Sequence, residues 1–174
     1  MWLLLAGLVL GAPAVDPGPE GRAFLERNRH VKGVVTLESG LQYRVLQQGD
    51  GIRHPGPQTR IEINYQGRTV ANHPDGPSFD SSYERGLTVS LAPEDAFEGW
   101  YEALQLMVEG DKWELYIPSE LAFGQEGRPP HVKPGECLIY TIELIRIKGE
   151  KKPYPLHGKY RASHRQRRHR AKPA

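Results

Sequence analysis

The sequence lacks the residues that metal and redox sites need. Cys137 is the only cysteine among 174 residues, so an intramolecular disulfide, a zinc site of several cysteines and a two-cysteine redox motif are all excluded. A glycine-rich phosphate loop, a Gly-x-Ser-x-Gly nucleophile motif and a His-Glu-x-x-His zinc motif are also missing. Several histidines lie in loops or in the tail, and no pair of cysteines accompanies them as in a zinc finger. We therefore expect neither a metal nor a cofactor.

Acidic residues are missing from one end of the chain. From Lys151 onward there are nine Lys or Arg and no Asp or Glu, whereas the whole chain has 23 basic and 21 acidic side chains. The preceding part therefore carries 14 basic against 21 acidic side chains, a net charge of −7. This composition predicts a basic, disordered tail over 150–174. A solvated tail is the favoured interpretation. The alternative is contact with nucleic acid or an anionic surface, but export and the acidic body argue against nucleic acid.

Long hydrophobic runs are missing as well. The apolar run at 3–10 is far shorter than the roughly 20 residues that span a bilayer. It precedes Ala12, Pro13 and Ala14, a pattern typical of a signal peptide cut after Ala14. We predict a signal peptide at 1–14 and export from the cytosol. The ER lumen or secretion is favoured, and the bacterial periplasm or a plastid lumen is the alternative destination. A buried N-terminal strand is the competing interpretation of the run.

The centre of the chain alternates apolar and polar residues. We predict a linker and a short helix over 15–33. The linker is indicated by the Pro and Gly residues at 16–20, and the helix is predicted over 21–30. Period-two patterns predict strands at 40–46, 60–66, 87–91, 112–118 and 137–147. Helical spacing of Trp100, Ala103, Leu104 and Met107 predicts one helix that begins near Pro93 and ends before Gly110. Several strands and one helix indicate an α+β fold, in which an antiparallel sheet covers the helix.

Aromatic residues concentrate at the ends of these elements and in the loops. Most aromatic side chains belong to ordinary cores. Phe79 and Phe123 are less easily explained that way, because each lies in a loop beside Gly, Ser or Pro. Asp80 directly follows Phe79. An aromatic pocket with one carboxylate suits a small apolar ligand better than hydrolysis.

Several motifs appear in a fixed order along the chain. They are Gly40-Leu-Gln-Tyr-Arg-Val-Leu46, Asn64-Tyr-Gln-Gly67, Phe79-Asp-Ser-Ser-Tyr-Glu-Arg85, Gly99-Trp100, Glu109-Gly-Asp-Lys-Trp-Glu-Leu-Tyr-Ile-Pro118 and Leu121-Ala-Phe-Gly124. Together, over about 34–147, they resemble the FKBP family of peptidyl-prolyl cis-trans isomerases. The stretch 24–49 resembles the lead-in of exported, macrophage-infectivity-potentiator-like members. The long N-terminal dimerisation helix of some such members is absent here, so we expect a monomer.

The resemblance implies a fold, an activity and a site. It implies an isomerase domain over 34–149, with a twisted five-stranded antiparallel sheet wrapped around one short α-helix. The implied partners are proline-containing polypeptides and macrolide immunosuppressants. The implied catalytic residues are Asp80, Tyr65, Phe79 and Trp100. The implied substrate- and inhibitor-binding residues are Arg85, Ala96, Phe97, Phe123, Val132 and Tyr140.

Three departures from the family pattern concern the edge of this pocket. Phe123 stands where the family often has a tyrosine that donates a hydrogen bond to the ligand. Arg128 replaces a more usual histidine, and Ala96-Phe97 replaces a more aliphatic pair. Two alternatives stay open at this point. Asp80 could serve only as an ion-pair partner of Arg85, and the domain could be a binding module that has lost turnover.

Overall fold

A computed structural model of the protein describes residues 18–149. The α-helices in this range are α1 (Pro19–Asn28), α2 (Ser82–Arg85) and α3 (Glu98–Leu104), and short 3-10 helices lie at Val70–Asn72, Pro93–Asp95 and Ser119–Leu121. The strands are β1 (Val34–Thr36), β2 (Gln42–Gln47), β3 (Ile61–Thr69), β4 (Asp80–Ser81), β5 (Val89–Leu91), β6 (Lys112–Ile117) and β7 (Leu138–Ile147). None of the helices within 18–149 is long and apolar enough to cross a membrane. The predicted signal peptide at 1–14 and tail at 150–174 lie outside the described residues.

The seven strands within residues 18–149 belong to one antiparallel sheet. Its order is β1-β2-β6-β7-β3-β4, and β5 also pairs with β3. The predicted α+β fold is confirmed, but the sheet has seven strands where the resemblance implied five. One additional strand is β1, which adds three residues at the edge beyond β2. The other arises because α2 interrupts the segment after Phe79, leaving two short strands, β4 and β5, that both pair with β3.

The alternating patterns position the core as predicted. In β3 every second residue is buried, beginning with Ile61 and Ile63. In β7 the predicted inward side chains are fully or almost fully buried, and Ile139 on the opposite face is buried too. Side chains alternate between the two faces of a strand, so one face of the sheet packs on α3. The other face receives α1.

The helix over the sheet is shorter than predicted. Residues Pro93–Asp95 form a separate 3-10 turn, and Ala96 and Phe97 are extended before α3 begins at Glu98. The reason is local, because the Asp95 carboxylate accepts the Ala92 N–H at 3.0 Å and closes the turn on itself. The predicted apolar stripe is nevertheless confirmed: Trp100, Ala103, Leu104 and Met107 are all buried.

The helix α1 packs on the opposite face of the sheet. Its start, Pro19, falls within the segment predicted as a linker. The ring of Phe24 lies 5.9 Å from that of Tyr116 on β6 and 6.2 Å from that of His73. Gly21 meets the core directly, since a Cβ atom there would lie 2.9 Å from the Cβ of Cys137. These contacts make α1 part of the folded body.

Candidate functional site

Trp100 of α3 forms the floor of an aromatic cluster. Its ring centroid lies 5.0 Å from that of Tyr65 and 5.1 Å from that of Tyr140, both edge-on, and 5.4 Å from that of Phe97. Its indole nitrogen is buried without a hydrogen-bond partner among the described residues. Edge-to-face packing fixes the orientation of these rings. The floor of the site is therefore a rigid aromatic surface between α3 and the sheet.

Phe79 and Tyr140 form one wall of the site. Their ring centroids lie 5.7 Å apart at 85°. Both rings reach over Gly67 of β3, where a Cβ atom would lie 2.6 Å from Cε1 of Tyr140 and 2.9 Å from Cζ of Phe79. A side chain at Gly67 would push both rings away. The sequence pattern left a bulge or a close approach open at Gly67, and the structure has the close approach.

Phe97 and Phe123 form the opposite edge. Their centroids lie 5.5 Å apart, and the Phe97 ring also lies 5.9 Å from Tyr140. Ala96 and both phenylalanines are partly exposed while packed against the core. The N–H of Phe97 has no acceptor among the described residues, whereas its carbonyl accepts the N–H groups of Trp100 and Tyr101. A bound carbonyl group could therefore accept from Phe97.

A short hairpin closes the mouth of the site. Arg128 and Val132 exchange two backbone hydrogen bonds, of 2.9 and 3.0 Å. Val132 is buried in the core cluster that contains Trp100 and Tyr140, while the Arg128 side chain is 57% exposed. Gly127 begins the turn with a positive φ of 63°. The hairpin therefore presents an apolar side chain inward and a guanidinium at the rim.

The one-turn helix α2 places a polar group beside the aromatic wall. Ser81 caps α2 by accepting the Glu84 N–H at 3.2 Å. Ser82 is fully buried, and its Oγ accepts the Tyr65 N–H at 2.8 Å and donates to Asn64 Oδ1 at 3.2 Å. This serine ties α2 to β3, which fixes where Arg85 leaves the helix. The sequence alone assigned no role to Ser82, although this serine lies within the motif Phe79-Asp-Ser-Ser-Tyr-Glu-Arg85.

Asp80 lies at the centre of a hydrogen-bonded network. The Tyr65 hydroxyl donates to Asp80 Oδ2 at 3.0 Å, and Arg85 donates to Asp80 Oδ1 and, at 2.8 Å, to the Tyr65 oxygen. Arg128 Nη1 lies 3.6 Å from Asp80 Oδ2. Both carboxylate oxygens are thus occupied by donors or cations. Sequence reasoning singled out Arg128 only as a departure, because contacts between distant segments leave no local signal.

The network holds Asp80 ionised. Burial acts to raise the pKa of the Asp80 carboxyl, but hydrogen bonds from Arg85 and Tyr65, with the charges of Arg85 and Arg128, outweigh it and lower the pKa. Burial raises the pKa of the Tyr65 and Tyr140 hydroxyls, so both stay protonated at neutral pH. The site therefore combines one fixed negative charge with neutral aromatic walls.

Two other features within residues 18–149 bear on the choice of site. No group of three or more His, Cys, Asp or Glu in this range is placed to hold a metal ion. A groove of about 420 Å³ runs beside α1 and is lined by charged side chains of that helix together with Gln42 and Pro118. It shares no residue with the aromatic cluster. All ten predicted site residues either belong to the aromatic cluster or contact it. The aromatic cluster is therefore the better candidate for the functional site.

Comparison with known proteins points to one family. Residues 51–145 match the family described as FKBP-type peptidyl-prolyl cis-trans isomerase, and residues 16–45 match the domain amino terminal to it. The chain is 42% identical over 129 residues to the peptidyl-prolyl cis-trans isomerase Mip of Coxiella burnetii, covering 74% of this chain and 54% of that protein. It is 41% identical over 128 residues to the macrophage infectivity potentiator of Trypanosoma cruzi, covering 74% and 63%. The chain thus spans less than two thirds of the length of these relatives.

Solved structures share the fold. FkpA from Escherichia coli aligns with a TM-score of 0.67 at 35% identity, over 74% of this chain and 58% of that one. A peptidyl-prolyl cis-trans isomerase from Pseudomonas syringae aligns with a TM-score of 0.66 at 34% identity, over 75% of this chain and 92% of that one. The sheet and helix that carry the aromatic cluster lie in a fold that these proteins share.

Proposed function

The chain belongs to the FKBP-type peptidyl-prolyl cis-trans isomerase family, as its motifs predicted, and we propose that it accelerates isomerisation of Xaa-Pro bonds in exported polypeptides. The observation that carries this proposal is the pairing of a Trp100-floored aromatic pocket with an ionised Asp80 at its rim. Isomerisation of an Xaa-Pro bond is a rotation that forms and breaks no covalent bond, so it requires neither a nucleophile nor a metal ion.

The chemistry is a rotation. Breaking amide resonance costs about 18–20 kcal/mol, and an uncatalysed Xaa-Pro bond takes tens to hundreds of seconds to isomerise. The twisted transition state has lost part of the charge separation of the planar amide, so an apolar pocket disfavours it less than it disfavours the planar form. Binding that is stronger for the twisted form lowers the barrier. We propose that Trp100, Phe79, Tyr140 and Val132 grip the proline ring while the preceding carbonyl turns.

The polar groups at the rim would orient that carbonyl. We propose that the Phe97 N–H donates to a substrate carbonyl and that the edge around Ala96 and Phe123 sets the shape of the opening. Asp80 would act electrostatically on the rotating amide, with Tyr65 and Arg85 holding its carboxylate in place. Arg85 would then be a positioning residue, because it touches Asp80 and Tyr65 and not the ring-gripping wall.

Ligands and destination complete the proposal. The same pocket would hold macrolide immunosuppressants, with one hydroxyl donor fewer because residue 123 is phenylalanine. We propose that the protein acts as a monomer after export, in the ER lumen or outside the cell, with a bacterial periplasm or plastid lumen as the alternative. One relative, from Legionella longbeachae, is named outer membrane protein MIP, which supports export in general and no particular compartment.

The direct test follows cis-trans relaxation of short Xaa-Pro peptides with the full chain and with Trp100→Leu. Acceleration by the wild type, inhibited by a macrolide and strongly reduced in Trp100→Leu, would support the proposal. A folded wild type that binds the peptides without accelerating relaxation would instead indicate a binding module. Far-UV circular dichroism of both proteins separates loss of activity from loss of fold.

A further inference from the structure

Arg128 lies where it can act on a substrate as well as on Asp80. Its Nη1 is 3.6 Å from Asp80 Oδ2, and its guanidinium carbon lies 5.8 Å from the centre of the Phe123 ring. Its side chain is 57% exposed, so the guanidinium is open to solvent at the mouth of the pocket. A contact with an aromatic face and a carboxylate restricts where this long side chain can go.

The backbone also holds Arg128 in place. Its N–H donates to the Val132 carbonyl and its carbonyl accepts the Val132 N–H. Val132 is 2% exposed and packs into the core cluster that includes the Trp100 floor. The guanidinium is therefore attached to a segment that is anchored in the pocket wall.

The charges of Asp80 and of the two guanidiniums in contact with it do not cancel. Among the described residues, the charged side chains that contact Asp80 are Arg85 and Arg128. One carboxylate between two guanidiniums leaves a net charge of +1. Arg85 is the closer of the two to Asp80 and also donates a hydrogen bond to Tyr65. Arg128 is therefore the more available of the two guanidiniums for pairing with a substrate carboxylate.

We propose that Arg128 makes the pocket discriminate between charges on Xaa, so that an acidic Xaa, Glu or Asp, is favoured over a basic one. This inference rests on the proposed isomerase function. The carbonyl that rotates beside Asp80 belongs to Xaa. The Xaa side chain is attached to the Cα atom that is bonded to that carbonyl carbon, so it lies close to the same side of the rim. A carboxylate on Xaa then reaches the exposed guanidinium, whereas an ammonium on Xaa is repelled by it.

The expected preference is modest and depends on salt. Exposed ion pairs change an equilibrium by up to about fivefold, and salt screens them. We expect kcat/KM for Glu-Pro to exceed that for Lys-Pro by about fivefold at low ionic strength, with Gln-Pro between them. The preference should shrink toward about one at 1 M salt, where the Debye length is about 3 Å.

The experiment measures kcat/KM by exchange NMR, without a coupling protease, on three peptides that differ only in Xaa: Glu, Gln or Lys. The full chain is compared with Arg128→Gln and with the matched control Lys133→Gln, an exposed cation farther along the same loop. We expect the Glu-to-Lys ratio to fall to about one in Arg128→Gln and to persist in Lys133→Gln. A purely structural role would lower kcat/KM for all three peptides equally and leave the ratio unchanged.

Each outcome decides a different question. A wild type that accelerates all three peptides equally, or an equal loss of preference in both variants, would overturn the role of Arg128 and leave the isomerase function intact. A wild type that accelerates none of them would overturn the isomerase function and, with it, this inference. A ratio that is lost only in Arg128→Gln supports both.

Discussion

Gly67 of β3 stands opposite Tyr140 of β7 in the antiparallel register, and the tyrosine ring lies across the position of the missing side chain. A Cβ atom at Gly67 would lie 2.6 Å from Cε1 of Tyr140 and 2.9 Å from Cζ of Phe79. The site's wall therefore depends on a residue without a side chain. This relationship links the register of two strands to the shape of the pocket.

Replacing Gly67 by Ala should damage both the pocket and the fold. The added methyl must displace two packed rings, and overpacking of this kind costs about 1–3 kcal/mol of unfolding free energy. We expect urea unfolding to show that loss and isomerase kcat/KM to fall at least severalfold. Gly18→Ala is the matched control, because its Cβ would make ordinary contact, 3.5 Å from the Gly135 carbonyl. Full activity in Gly67→Ala would contradict the role assigned to this close approach.

Replacing Asp80 by Asn tests the fixed charge at the rim. The variant keeps the size of the side chain and removes the negative charge that Tyr65 and Arg85 hold in place. Hydrogen bonds to charged groups contribute about 1.5–3 kcal/mol, so a tenfold or larger fall in kcat/KM is expected if they act in the transition state. Asp75→Asn, an exposed acid in the preceding loop, is the control. Unchanged turnover in Asp80→Asn would leave the residue as an ion-pair partner only.

The network also predicts how stability depends on acid. The folded-state pKa of Asp80 lies below its ordinary value of 3.8, so its ionised form stabilises the folded protein. This contribution is fully present above about pH 5 and is lost as the pH falls through the folded-state pKa. The difference in unfolding free energy between wild type and Asp80→Asn should therefore be constant from pH 7 to pH 5 and shrink below pH 3.8. A difference that grows in acid would contradict the lowered pKa.

A second titrating group lies on the face of the sheet that α1 covers. The pKa of His73 is lowered from 6.5, first by burial and then by the charges of Arg44 and Arg68. Glu114, whose Oε1 lies 3.9 Å from His73 Nδ1, and Asp75 act in the opposite direction without reversing the shift. The folded protein therefore binds this proton less readily than the unfolded chain does.

We expect the unfolding free energy to fall as the pH drops from 7 to 5.5, because the unfolded chain takes up a proton at His73 that the folded protein resists. The loss begins near pH 6.5 and continues down to the folded-state pKa. His73→Gln should reduce this pH dependence, measured by urea unfolding at both pH values. His30→Gln is the control, since His30 is 75% exposed. An identical pH dependence in His73→Gln and wild type would show that other groups cause it.

Replacing Phe123 by Tyr should strengthen macrolide binding. The ring lies at the pocket edge, 5.5 Å from Phe97, and the new hydroxyl would supply the donor that this chain lacks. A hydrogen bond of about 0.5–1.5 kcal/mol corresponds to roughly a twofold to tenfold lower Kd. Isothermal titration calorimetry on both proteins measures it. An unchanged Kd would place the hydroxyl out of reach of the ligand.

The parts of this protein that could be predicted are those with a short sequence period or an ordered set of motifs. Alternation identified the buried faces of β3 and β7, and helical spacing identified Trp100 and Met107 as buried. The separate turn at Pro93–Asp95, which delays the start of α3 to Glu98, was missed, because a single hydrogen bond from the Ala92 N–H to the Asp95 carboxylate decides it. The start of α1 at Pro19 was missed too, because packing against Tyr116 and Cys137, not an apolar period, stabilises that helix.

The sequence by itself determined the α+β class, the family and the identity of the aromatic residues, because these follow from local periods and from residues that are adjacent in the chain. Only the tertiary structure decided which groups meet at the rim. Asp80 contacts Arg128 across 48 positions of sequence, and Ser82 holds α2 to Tyr65. Such contacts depend on how the sheet brings distant segments together, and no period along the chain records them.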